Sequence, residues 1–227
     1  MNNSRRRRQN TGYLIGLILG LSSIVILSIS WGEYYLMPGP SNVGHENVKC
    51  KYCHFSAQGT FRQQIQANVY YLLGKRPAPA DFGRKSVRNE SCLSCHNRPN
   101  ERHPVYRFFE PRYKKVRQTL KPQYCVSCHL EHTGKRVTLT DISYCQSCHK
   151  KLILKHDPIS TPHHELILTE RWQTCLGCHD FHGNHVMEIE QKVENSISYQ
   201  SIIDYFQGED SPYSDKKHHK ANKEPEL

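Results

Sequence analysis

The ten cysteines constrain this chain more than any other feature. All ten fall into five pairs with two residues between the partners, and a histidine follows each pair directly. The units are Cys50-Lys-Tyr-Cys53-His54, Cys92-Leu-Ser-Cys95-His96, Cys125-Val-Ser-Cys128-His129, Cys145-Gln-Ser-Cys148-His149 and Cys175-Leu-Gly-Cys178-His179. C-x-x-C-H is the attachment signature of c-type haem. Its spacing lets each thiol form a thioether to one vinyl of the same porphyrin, and sets the next histidine under the ring as the proximal iron ligand. By composition a histidine follows a given cysteine about one time in fifteen, so five in a row arise by chance on the order of once in a million. A zinc ribbon does not require that histidine. A disulfide framework would not place every cysteine in this unit. The sequence therefore predicts five covalent haem c groups, with His54, His96, His129, His149 and His179 as proximal ligands.

Composition bears on the rest. At 37% hydrophobic and 23% charged residues, the chain is neither a multi-span membrane protein nor typical of disorder. Its apolar content is modest for a self-sufficient core, so five flat apolar haems form much of the interior. The expected fold is mainly α with extensive coil, wrapped around five haems. The formal net charge of +10 points on its face to nucleic acid. Four of those charges are Arg5 to Arg8 at the N-terminus, and haem propionates offset the others. Nucleic acid is accordingly not among the expected partners.

Residues 1–12 read as a basic cytoplasmic segment and 13–36 as a transmembrane anchor. Tyr13 to Gly32 runs twenty residues without a charge, about 30 Å as a helix, which spans a bilayer core. Tyr13 at one end, and Trp31, Tyr34 and Tyr35 at the other, fit an interfacial aromatic belt. The arginine run places the N-terminus in the cytoplasm and the remainder on the periplasmic side of the inner membrane. A signal peptide cleaved near Ser28-Ile-Ser30 is the competing reading; the long apolar stretch favours an uncleaved anchor. Gly12, Gly16 and Gly20 form overlapping G-x-x-x-G units through which the helix could join a membrane complex or a homodimer.

Residues 37–190 read as the pentahaem domain, and 191–227 as a C-terminal helix with a flexible polar tail. The motifs start at 50, 92, 125, 145 and 175. This irregular spacing marks a local cofactor unit and not a solenoid repeat. Short helices are expected over Ile65–Leu73 (ended by Gly74), over Pro111–Leu120, over Thr161–Trp172 with Pro162 at the first position, and over Ile189–Phe206. No strand alternation is evident.

Each iron needs a sixth ligand unless substrate is to bind there. Of fifteen histidines, ten lie outside the motifs. His218 and His219 stand among lysines and read as solvated. The distal candidates are His45, His132, His182, His103, His156, His163, His164 and His185. His132 and His182 each follow a proximal histidine by three residues, too close to reach the same iron and well placed to reach a neighbouring one. His45 precedes the first motif by five residues. Methionine, the common alternative, occurs only as Met1, Met37 and Met187, so most haems should be bis-histidine and of low potential.

With these residues the chain resembles the membrane-anchored multihaem c-type cytochromes. Cys-Val-Ser-Cys-His-Leu-Glu-His-Thr-Gly at 125–134 looks like motifs of the cytochrome c3 and c7-like class. That resemblance implies bis-histidine haems, closely stacked, that pass single electrons. The quinol dehydrogenases of the nitrate and nitrite reductase type match poorly. They usually carry four haems and often have Met after the first motif, where this chain has Phe55-Ser-Ala. The pentahaem subunit of alternative complex III is similar in size, anchor and haem count, without a shared local motif.

The function read from the sequence is a membrane-anchored electron carrier. It takes electrons from the quinol pool or a membrane complex and passes them to a periplasmic redox protein. The alternative is a multihaem reductase of a small oxidised substrate, with one open iron. A zinc-binding module, and a sensor or structural subunit of a larger complex, rank below these.

Overall fold

The computed structural model describes residues 2–29, 35, 37–187, 190–217 and 219–221. Met1, Ser30, Trp31, Gly32, Tyr34, Ile189 and His218, named above, lie outside the described residues. The chain divides into two units, Met1–Pro40 and Ser41–Leu227.

The first unit holds one long helix among the described residues, α1 (Asn2–Ser28). It starts well before Tyr13, because Ser4 to Thr11 contains no proline or glycine and arginine is a good helix former. The arginines and the apolar stretch are thus one continuous helix, long and apolar enough over Ser4–Leu27 to cross a membrane. Leucine and isoleucine are exposed all round it, including the consecutive Leu17, Ile18 and Leu19. A helix apolar on every face requires an apolar surround. A Cβ added at Gly12, Gly16 or Gly20 would meet nothing within 4 Å, so the glycine stripe is open.

In the second unit the haem motifs sit on single helical turns. Motif 1 lies on the 3-10 turn Cys50–Tyr52 and motif 3 on Cys125–Ser127. Motif 2 closes α3 (Asn89–His96), motif 4 runs from the turn Ile142–Cys145 into α5 (Gln146–His149), and motif 5 forms α7 (Cys175–Cys178). The His54, His129 and His179 amides donate to the carbonyls of Cys50, Cys125 and Cys175 at 2.8, 2.9 and 2.8 Å. That one i to i−4 bond makes the spacing functional, since residues four apart share a helix face.

Between the motifs, α2 (Phe61–Leu72) begins earlier than Ile65 because Thr60 and Gln63 form a capping box. Gly74, at φ +67°, follows its end. Pro111–Tyr113 is a 3-10 turn that continues as α4 (Lys114–Thr119). Pro162 caps α6 (His163–Leu168) from outside the helix, and Trp172 belongs to a separate turn. The C-terminal helix does not run through to Phe206 from 189. A 3-10 turn at Val193–Asn195 is followed by extended Ser196, and Ser198 caps α8 (Tyr199–Gln207). Isolated bridges are the only β pairing among the described residues.

The aliphatic core is thin. Its main cluster joins Ile142, Leu176, Ile202, Phe206 and Tyr213, with Ile202 fully buried. Ile202 and Phe206 lie four apart on α8 and face α7. There Gly177 lies so close that a Cβ would stand 2.5 Å from the Ile197 carbonyl oxygen. The segment after 190 is therefore part of the haem unit. Of the stretch read as a flexible tail, residues 209–217 differ from that reading: Tyr213 is 7% exposed and stacks on His185 at 4.8 Å. The Val186 amide donates to the Lys216 carbonyl. Aromatic Tyr213, hidden among polar residues, is what fastens it.

Candidate haem-binding sites

Each motif histidine faces one histidine from elsewhere in the chain. His54 faces His132 at 6.3 Å between ring centroids, and His96 faces His45 at 6.0 Å. His129 faces His182 at 5.9 Å, His149 faces His103 at 6.1 Å, and His179 faces His163 at 6.1 Å. Two imidazoles bound through nitrogen at about 2 Å on opposite sides of one metal atom have their ring centres about 6 Å apart. The rings are therefore too far apart to touch and correctly spaced to share an iron, and each stands beside its own cysteine pair. These residues fit a bis-histidine haem c at every motif. His54, His96, His129, His149 and His179 would hold the iron from the attachment side, and His132, His45, His182, His103 and His163 from the other. Bound there, haem supplies one-electron chemistry at the iron.

Three of the eight distal candidates do not enter these pairs. His156 and His164 are exposed. His185 is buried, but its Nδ1–H donates to Asp180 Oδ2 at 2.6 Å and its ring lies on Tyr213. It also forms an isolated bridge with Lys217. Of the tail pair, His219 is half-buried, its amide directed at the Asn184 carbonyl at 3.5 Å.

The partners of the distal imidazoles differ. His45 Nδ1 bonds Glu131 Oε1 at 2.6 Å, His182 Nδ1 bonds Glu101 Oε1 at 2.5 Å, and His163 Nδ1 bonds Asp157 Oδ1 at 2.9 Å. His103 Nδ1–H donates to the Phe181 carbonyl at 2.6 Å. His132 Nδ1 is buried with no hydrogen-bond partner among the described residues, and its backbone is left-handed at φ +61°. On the attachment side, His129 Nδ1–H donates to the Arg136 carbonyl at 2.7 Å. An acceptor on Nδ1 fixes the tautomer and leaves Nε2 with a free lone pair for metal. Burial lowers the pKa of His54, His103 and His129, which keeps them in the neutral form that binds metal.

Sequence reasoning missed these partners, although two of them sit inside the motifs. In Cys-His-Leu-Glu-His, Glu131 anchors the imidazole that faces His96, while His132 faces His54. In Cys-His-Asp-Phe-His, the Phe181 carbonyl anchors the imidazole that faces His149, while His182 faces His129. Each pentapeptide serves three motifs. Asn42, 4% exposed, steadies the turn that carries Glu131: its Nδ2 donates to the Leu130 carbonyl, and its Oδ1 accepts from the Thr133 amide.

The motifs also touch one another. Ser91 Oγ donates to the Cys53 carbonyl. That bond ties the attachment turn of motif 1 to the helix that carries motif 2.

Residues 78–150 match the family model described as cytochrome c3. That stretch spans motifs 2, 3 and 4, about a third of the chain. No curated protein and no solved structure matches. Helices joined by coil, C-x-x-C-H turns each backed by a second histidine, and this match over residues 78–150 support a multihaem cytochrome c3-like class.

Proposed function

We propose that this protein is a membrane-anchored pentahaem electron carrier. On this reading all five motifs carry haem c through their cysteine pairs. The ligand sets are His54 with His132, His96 with His45, His129 with His182, His149 with His103, and His179 with His163. The helix α1 holds the protein in the inner membrane with the haem unit on the periplasmic side. Electrons enter from the quinol pool or a membrane complex and leave to a periplasmic redox protein.

One observation carries the reading: every motif histidine has its own facing histidine, at 5.9 to 6.3 Å. A six-coordinate iron has no position for substrate, so the protein's work is to space and tune the haems. The rival reading, a reductase of a small oxidised substrate with one open iron, needs a motif histidine that lacks such a partner. Low-temperature EPR of the oxidised, detergent-purified protein, with haem counted on the same sample, tests the proposal. The expected result is five low-spin haems per chain. A stoichiometric high-spin signal that shifts with nitrite would replace the carrier by the reductase.

A further inference from the structure

The five facing imidazoles are not held alike. Three rest on carboxylates, one on a backbone carbonyl, and one on no acceptor among the described residues. We infer that Glu131, Glu101 and Asp157 are positioning residues that divide the haems by potential: those of motifs 2, 3 and 5 low, those of motifs 1 and 4 higher. The inference rests on the ligand sets proposed above and adds an order of reduction to them.

The physical reason is charge. An imidazole that donates its Nδ1–H to a carboxylate gains imidazolate character and becomes a stronger donor through Nε2. A stronger donor, with a negative charge behind it, stabilises ferric over ferrous iron and lowers the potential. The Phe181 carbonyl polarises His103 less, because it carries no net charge. His132 gains nothing from Nδ1.

The three carboxylates are sheltered to different degrees, and shelter strengthens the effect. The Glu101 side chain is 11% exposed, with Arg98 at 3.9 Å offsetting part of its charge. The Asp157 side chain is 15% exposed and also accepts the His163 amide at 2.6 Å. The Glu131 side chain is 31% exposed. Motif 3 has Glu101 behind one imidazole and the Arg136 carbonyl behind the other, so its haem is the last to be reduced.

The test is a potentiometric titration of the detergent-purified holoprotein, followed optically and by EPR, for wild type, Glu101→Gln, Glu131→Gln and Asp157→Asn. Each variant keeps an acceptor oxygen and loses the charge. Each should retain five low-spin haems and make one haem easier to reduce. Its reduced-to-oxidised ratio at a fixed potential should rise roughly tenfold, equivalent to about 59 mV for one electron. Glu101→Asp should restore most of the wild-type ratio. Three variants with full haem content and all ratios within twofold of wild type would overturn the inference and leave the ligand sets intact. So would loss of haem from all three, which would make the carboxylates builders of the sites and not tuners. A wild-type protein with fewer than five haems, or with high-spin iron, would instead count against the ligand sets themselves.

Discussion

Phe181 lies flat on His103, ring centroids 4.2 Å apart and 13° from parallel, while its carbonyl accepts the Nδ1–H of the same imidazole. One residue therefore fixes both the plane and the tautomer of the histidine facing His149. The side chain and the backbone of Phe181 can be separated experimentally. Phe181→Ala removes the stacked ring and leaves the carbonyl. The half-buried ring is worth about 2 kcal/mol, and its loss should lower the melting temperature of the holoprotein and broaden the low-spin EPR signal of one haem. An unchanged spectrum would mean that the hydrogen bond alone orients His103.

His132 is the least supported of the facing imidazoles. Its left-handed backbone costs about 1–2 kcal/mol in a non-glycine residue, and its Nδ1 is buried without a partner among the described residues. Its bond to iron should be the easiest to displace. Carbon monoxide added to the dithionite-reduced protein should bind one haem per chain, and His132→Ala should turn one haem high-spin while four stay low-spin. Uptake of several equivalents by wild type, or of none, would contradict this ranking.

Gly177 has no room for a side chain. A Cβ there would stand 2.5 Å from the Ile197 carbonyl oxygen and 3.0 Å from Ser196 Oγ. The backbone cannot yield easily, because the Ile197 amide donates to the Gly177 carbonyl at 3.2 Å. Gly177→Ala should cost about 1–3 kcal/mol, readable as a lower melting temperature with weaker protection of α8 from hydrogen exchange. The same change at Gly16 of α1, where nothing lies within 4 Å, should leave the melting temperature of the haem unit unmoved.

What the sequence made legible was the local chemistry. Cys-x-x-Cys-His needs only one helical turn, so its spacing reports the site without reference to the rest of the fold. His132 and His182 were legible as candidates for the same reason: three residues from a proximal histidine, they are well placed to reach another motif, and they face His54 and His129. The choice of His103 and His163 over His156, His164 and His185 was not legible. For His103 it depends on a contact across the chain, with the Phe181 carbonyl, 78 residues away. His163 and His164 are neighbours of one type, and what separates them is that Asp157 reaches one and not the other. Tyr213 was hidden for a related reason. A single aromatic residue among polar ones looks like a tail until His185 is found beneath it.

The Asp180–His185 pair gives that docked segment a pH dependence. Burial pushes the Asp180 carboxyl up, but the hydrogen bonds from the His185 side chain and backbone outweigh it and hold the group below the usual carboxylate range. Asp180 also accepts the amides of His182 and Asn184, so its charge organises the turn that carries His185 under Tyr213. A group with a lowered native pKa contributes stability that is present above its unfolded pKa and is lost as pH falls through the native one. Residues 209–217 should therefore stay protected from hydrogen exchange at pH 5–7 and open first on acidification below about pH 4. Asp180→Asn keeps the shape and loses the charge, and should leave the same residues less protected at pH 7. Protection of 209–217 that is equal in wild type and variant across this range would assign the docking to the Tyr213 ring alone.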